Sequence, residues 1–179
     1  ALLPALDYAH VRGVVHRDVK AENVLFDDTE RPLLADFGIA LRRGSNPRLT
    51  TTGLAVGSTA YMPPEQARGG EVDRRADLYS IGVLAWETLT GRLPYNAGDA
   101  LSMALKHVQE PIPRLPEPLR HWQGFIDKSM AKLMWKCGRS CSAAQAYSDI
   151  FLLSASDEPS QSGSTASAGQ TPMQRPQPT

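Results

Sequence analysis

Apolar residues recur at helical spacing through most of the first 150 positions, and the pattern divides the chain into a few segments. Leu2, Leu3, Leu6, Ala9 and His10 follow that spacing up to Gly13, which predicts a helix closed by a left-handed residue. No capping residue precedes it. Val24-Leu25-Phe26 and Leu33-Leu34-Ala35, separated by the turn formers Asp27-Asp28-Thr29, predict a two-stranded hairpin. From Asp73 to Thr90 the spacing predicts a second helix, ended by Gly91, with Leu78, Ile81, Val83, Leu84, Ala85, Trp86 and Leu89 around most of its circumference. A helix apolar on nearly every side is a buried one. At about 1.5–3 kcal/mol per fully buried large side chain, it is the expected centre of the core.

Two amphipathic stripes follow, Leu101, Ala104, Leu105 and Val108, then Leu119, Trp122, Phe125, Ile126 and Met130. Pro111, Pro113, Pro116 and Pro118 enforce an extended connection between them. A last helix is expected to carry Ala143, Ala146, Tyr147 and Ile150. After Leu153 the pattern stops: 19 of the 26 positions from Ser154 to Thr179 are Ser, Thr, Pro, Gln or Gly, and none is Leu, Ile, Val or aromatic. That tail cannot bury a core and is expected to be disordered. The reading is an α+β domain over 1–153, mainly helical with a small β-hairpin region, and a tail over 154–179.

Composition narrows the class. The 19 basic residues balance the 19 acidic ones. A neutral surface lacks the electrostatic footprint of nucleic-acid binding. No apolar run approaches the ~20 residues of a membrane span, and the first residues lack the basic region of a secretory signal. Cys137 and Cys141 have no second pair and no neighbouring His. They read as reduced thiols in a cytoplasmic protein rather than zinc ligands.

The chemistry is concentrated in His16-Arg17-Asp18-Val19-Lys20-Ala21-Glu22-Asn23, between the first helix and the hairpin, and in Asp36-Phe37-Gly38 just after it. A charged surface loop would account for His-Arg-Asp alone. It does not account for His16, Arg17, Asp18, Lys20 and Asn23 in register with a second motif one hairpin later. These residues resemble the catalytic loop and magnesium motif of the protein kinases. The resemblance implies Asp18 as the base on the acceptor hydroxyl and Lys20 as the cation on the moving phosphoryl group. It implies Asn23 and Asp36 as ligands of Mg2+ (or Mn2+) bound with ATP, and His16 as a structural member of the loop.

Further blocks extend the likeness. Gly57-Ser58-Thr59-Ala60-Tyr61-Met62-Pro63-Pro64-Glu65 resembles the end of a kinase activation segment, with Pro63 where the family has Ala. Ser58 falls where Ser/Thr-specific members hydrogen-bond the catalytic Asp and Lys, so Ser/Thr rather than Tyr acceptors are implied. Asp77-Leu78-Tyr79-Ser80-Ile81-Gly82-Val83 matches the central-helix motif whose Asp braces the catalytic loop. Arg139 falls at the family position that pairs with Glu65, although the stretch from Lys132 to Arg139 is longer than the family turn and lacks its Pro. Arg17, beside the catalytic Asp, implies control by activation-loop phosphorylation, with Thr50 and Thr52 as the sites.

Pro64-Glu65-Gln66-Ala67, Thr90-Gly91-Arg92-Leu93-Pro94-Tyr95 and Met103-Ala104-Leu105-Lys106-His107 resemble bacterial Ser/Thr kinases in particular. The family's small lobe needs a Gly-rich loop, a strand Lys and a helix Glu upstream of the first helix, and no two glycines here are two apart. The chain therefore reads as the large lobe of such a kinase with the small N-terminal lobe absent, and as a fragment of a longer protein. Alternatives are a non-catalytic kinase-like lobe that docks partners, and a small-molecule kinase of related fold. The latter is not expected to keep residues 57–65.

Overall fold

The computed structural model describes residues 1–37 and 59–132, with the backbone alone at 41–42. Helix α1 (Leu2–Val11) starts at Ala1 without a side-chain cap and buries Leu6, Ala9 and His10. It ends where Gly13, at φ 75°, donates its N–H to the His10 carbonyl at 3.0 Å. The positive φ is the reason a residue without Cβ stands there.

Strand β1 (Val14–Val15) follows, then a 3-10 turn at Ala21–Asn23, β2 (Val24–Phe26), β3 (Pro32–Leu34) and β4 (Leu41–Arg42). β2 and β3 form the expected hairpin, with Val24 opposite Leu34, Leu25 opposite Leu33 and Phe26 opposite Pro32. The second strand begins at Pro32 instead of Leu33, since a proline is tolerated as the first residue of a strand. Asp27 builds the turn: one carboxylate oxygen accepts the Thr29 hydroxyl and the Thr29 and Arg31 N–H groups. The Thr29 hydroxyl first, and the Arg31 N–H next, hold the Asp27 carboxyl down to about 2. β1 pairs antiparallel with β4, a contact that two-residue strands give no pattern to foresee.

The helical part comprises α2 (Pro64–Ala67), α3 (Arg75–Thr90), α4 (Ala100–Gln109) and a 3-10 turn at Glu117–Trp122 that runs into α5 (Gln123–Ser129). α3 is the buried central helix, with Ala76 through Val83 and Trp86 enclosed. It begins at Arg75 rather than Asp73, with Arg74 at its boundary and the Asp73 carboxylate, one residue further out, accepting the Arg75 N–H at 2.8 Å. It ends as expected at Gly91, φ 70°. Leu6, Leu78, Val83, Leu115, Ile126 and Met130 form the driest part of the core. α3 and α5 meet at Gly82, where an added Cβ would lie 2.8 Å from Met130 Cγ and 2.9 Å from Ser129 Cβ.

Helix α4 departs from the expected stripe. Leu101 is 72% exposed and Leu105 45%, while Met103 and His107 are the residues it buries. The reason is a polar-aromatic cluster. The Tyr79 hydroxyl pairs with His107 Nδ1 at 2.8 Å, and the Tyr95 ring meets the imidazole edge-on at 4.9 Å. These directional contacts fix the helix about its axis more tightly than two leucines would. Lys132 then closes its end, with Nζ donating to the carbonyls of Glu110 and Lys106. A cation at a helix C-terminus is favourable. The cysteines, the helix expected from Ala143 and the tail lie outside the described residues.

Burial first, then the nearby Lys132 charge, lowers the His107 pKa to about 4. The unfolded chain, with its imidazole near 6.5, binds a proton that the folded one refuses, so stability falls as pH drops from about 6.5 toward 4. The expected loss is about 2–3 kcal/mol by pH 4.5. Urea unfolding at pH 7.5 and pH 4.5 checks it: replacing His107 by Gln should shrink the difference between the two pH values by that amount.

Candidate active site

The segment His16–Asn23 follows β1 and is held from below by one side chain of α3. Asp77 is fully buried. One of its carboxylate oxygens accepts the Arg17 N–H at 2.7 Å; the other accepts the His16 N–H at 2.9 Å and pairs with His10 Nε2 at 2.6 Å. A carboxylate in the core needs such donors, because an uncompensated buried charge costs several kcal/mol. Two of these three contacts run through backbone groups of the loop.

His16 carries the brace outward. Its Nδ1 accepts the Asp18 N–H at 3.3 Å, which leaves Nε2 as the donor to the Ala35 carbonyl at 3.0 Å. Its ring packs at 4.4 Å on Phe37. Arg17 adopts φ 68°, a left-handed conformation costly for a residue with Cβ and kept here by its bond to Asp77.

On this support the polar groups converge. Lys20 Nζ donates to Asp18 Oδ2 at 2.7 Å. Asn23 Nδ2 donates to the Asp18 carbonyl at 2.7 Å and to Asp18 Oδ2 at 3.3 Å. With its side-chain nitrogen committed to Asp18, Asn23 presents its side-chain Oδ1 as the acceptor, while its backbone carbonyl belongs to the hairpin. The hairpin register places Ala35 opposite Asn23, and the Ala35 N–H donates to the Asn23 carbonyl at 2.8 Å. Asp36, the next residue, therefore leaves the hairpin at the same end as Asn23. It is exposed and held at φ 59°. The structure brings Asp18, Lys20 and Asn23 into one hydrogen-bonded cluster, with His16 and Asp77 beneath it.

Other expected positions stand apart or fall outside. Glu65, at the start of α2, is largely enclosed, and burial pushes its carboxyl above the usual range. Ser58, Thr50, Thr52 and Arg139 lie outside the described residues.

Three contributors were not singled out from the sequence. His10 counted only as part of an apolar stripe, although a titratable residue on such a stripe is itself a signal of a buried polar partner. Tyr61 donates its hydroxyl to Glu87 of α3, and burial together with that carboxylate pushes the phenol well above its ordinary range. Glu87, a lone acid among Val83, Leu84, Ala85 and Trp86, was the readable half of that pair.

Residues 1–144 match the protein kinase domain, and the chain belongs to that family. Its relatives are bacterial serine/threonine protein kinases. It is 40% identical over 135 residues to the probable serine/threonine-protein kinase PknB of Lactococcus lactis, covering 73% of this chain and 21% of that protein. It is 38% identical over 154 residues to serine/threonine-protein kinase PknL of Mycobacterium tuberculosis, covering 86% and 37%. With PrkC of Bacillus subtilis the identity is 36% over 135 residues, covering 75% and 20%. The chain spans between a fifth and two fifths of the length of these relatives. Among the described residues no helix is long and apolar enough to cross a membrane.

Substitution of Asp77 by Ala would leave two backbone N–H groups and the His10 imidazole without their acceptor. A loss of about 3 kcal/mol or more is expected in urea unfolding. An unchanged midpoint would mean that water replaces the carboxylate.

Proposed function

We propose that this chain is the large lobe of a bacterial-type serine/threonine protein kinase, transferring the γ-phosphoryl group of ATP to Ser or Thr hydroxyls of proteins. The observation that carries the reading is the Asp18, Lys20 and Asn23 cluster, at the hairpin end from which Asp36 leaves. Phosphoryl transfer is mostly positioning and charge stabilisation, and the cluster supplies both. Asp18, only partly exposed, is anchored on either side so that its carboxylate can orient an acceptor hydroxyl. Lys20 holds it now and is within reach of a transferring phosphoryl group.

Asn23 and Asp36 suit a divalent ion of the Mg2+ type. Both offer hard oxygen donors, and among the described residues no cluster of three or more His, Cys, Asp or Glu makes a closed metal cage. Mg2+ is commonly held by one or two carboxylates together with phosphate oxygens and water. The bound ion would neutralise phosphate charge.

On this reading residues 1–153 form the lobe and 154–179 a tail, in a cytoplasmic catalytic region with no role for nucleic acid. The exposed Leu25 and Leu33, opposite one another in the hairpin, leave one of its faces bare and apolar, as expected of a large lobe whose small lobe is not in this chain. Glu65, half-buried at the start of α2, fits a pairing with Arg139.

Regulation follows from Arg17. Its Nε is buried with no partner among the described residues, and its Nη2 has only a 3.4 Å bond to the Val72 carbonyl. Between Ile39 and Met62 the only charged residues are Arg42, Arg43 and Arg48. A phosphate on Thr50 or Thr52 would bring ~1.5–2 negative charges and three acceptor oxygens to this cationic stretch and to Arg17.

Two experiments test the proposal in the full-length protein. With a basic protein substrate and Mg-ATP, Asp18→Asn should lower transfer by about 10²–10⁴-fold while leaving the melting curve in place. Asp36→Asn should shift the Mg2+ titration and nucleotide use together. Wild-type activity in Asp18→Asn would remove its assigned role, and no transfer by the wild-type protein would favour a partner-docking lobe. For the switch, mass spectrometry after incubation with ATP should find phosphate at Thr50 or Thr52, and a Thr50→Ala/Thr52→Ala double mutant should lose activity. Full activity without phosphate between Ser45 and Thr59 would discard it.

A further inference from the structure

Asp77 does not hold the catalytic loop unaided. Its Oδ2 serves two donors, the His16 N–H and His10 Nε2, and the imidazole contact is the shortest of the three at 2.6 Å. A carboxylate that already accepts two backbone N–H groups leaves the donor role to the ring nitrogen. Both side chains are fully buried. His10 reaches Asp77 from the last turn of α1, a different element from the loop and from α3. The carboxylate is therefore fixed from a third direction, against rotation about its own side-chain bonds.

We propose that His10 is a positioning residue for the phosphoryl-transfer site, acting through Asp77. The chain of contacts is short: His10 sets the Asp77 carboxylate, Asp77 holds the His16 and Arg17 N–H groups, and Asp18 is the next residue. Arg17 needs that hold, because at φ 68° it relaxes toward ordinary backbone once the acceptor moves. Relaxation there would swing Asp18 away from Lys20 and Asn23. Substrate and nucleotide contacts made elsewhere would be untouched, so the effect belongs in kcat rather than in KM for ATP. The kinetic part rests on the proposed kinase function; the positioning of the loop does not.

The test compares His10→Leu, which removes the donor, with His10→Gln, whose amide can place a donor near the Nε2 position, in the full-length protein. At a temperature where all variants are folded, His10→Leu should lower kcat about tenfold or more. KM for ATP should change by less than about twofold. Hydrogen exchange of a peptide spanning Val14 to Val19 should accelerate about tenfold relative to α3. His10→Gln should return both readings to within about threefold of wild type. If His10→Leu does not fold, His10→Asn takes its place, since its shorter amide cannot reach Asp77. Wild-type kcat and exchange in a folded donorless variant, or equal impairment in His10→Gln, would overturn the proposal. A wild-type protein without phosphoryl transfer would count against the kinase reading alone, and the exchange measurement would still decide the role of His10.

Discussion

A carboxylate buried in the first turn of an apolar helix has to be satisfied by hydrogen-bond donors, and this requirement at Asp77 organises the site. Asp77 draws its donors from other elements. It takes two N–H groups from the loop after β1 and one ring nitrogen from α1. The desolvation cost of the charge is offset only while all three are in place. The same requirement that keeps the core folded thereby holds a functional loop in a conformation it would not adopt alone. Stability and geometry are coupled at one residue.

Much of this was legible in the sequence, for definite reasons. Helix ends marked by Gly13 and Gly91 were readable because a positive φ leaves few residues to choose from. The hairpin was readable because Asp27 and Thr29 carry turn chemistry in their side chains, and its register then dictated that Asn23 and Asp36 share an end. The motif residues were readable because phosphoryl transfer demands an unusual set of groups in fixed order. The face of α4 was not. Counting aliphatic positions favoured Leu101 and Leu105, whereas the helix turns Met103 and His107 inward to meet Tyr79 and Tyr95. Periodicity weighs each apolar residue alike and has no entry for a hydrogen bond formed with a residue 28 positions away. His10 was hidden for the same reason. A polar residue on an apolar stripe looks like noise until its partner is known.

The polar contacts around the site are divided by depth. At the bottom, Asp77, His10 and His16 are enclosed and joined by short bonds, which a low dielectric strengthens. At the rim, Asp18 and Lys20 keep some contact with water and can exchange partners. Pairs such as Arg120 with Glu117 and Arg114 with Asp127 lie on the open surface, where such contacts contribute about 0–1 kcal/mol. The gradient suits a site whose base must not move while its upper groups rearrange around a ligand.

The close approach at Gly82 bears on how movement spreads through the molecule. With no side chain between them, α3 and α5 have no soft layer to absorb a displacement, and packed interiors compress little. The two helices therefore behave mechanically as one plate. Gln123, at the head of α5, grips the proline-rich connection through the Leu115 N–H and the Pro113 carbonyl. A pull on that connection is delivered to the plate as a whole, and Asp77 is mounted on it. The distance from an outer loop to the His16–Asn23 loop is bridged by rigidity rather than by a chain of hinges.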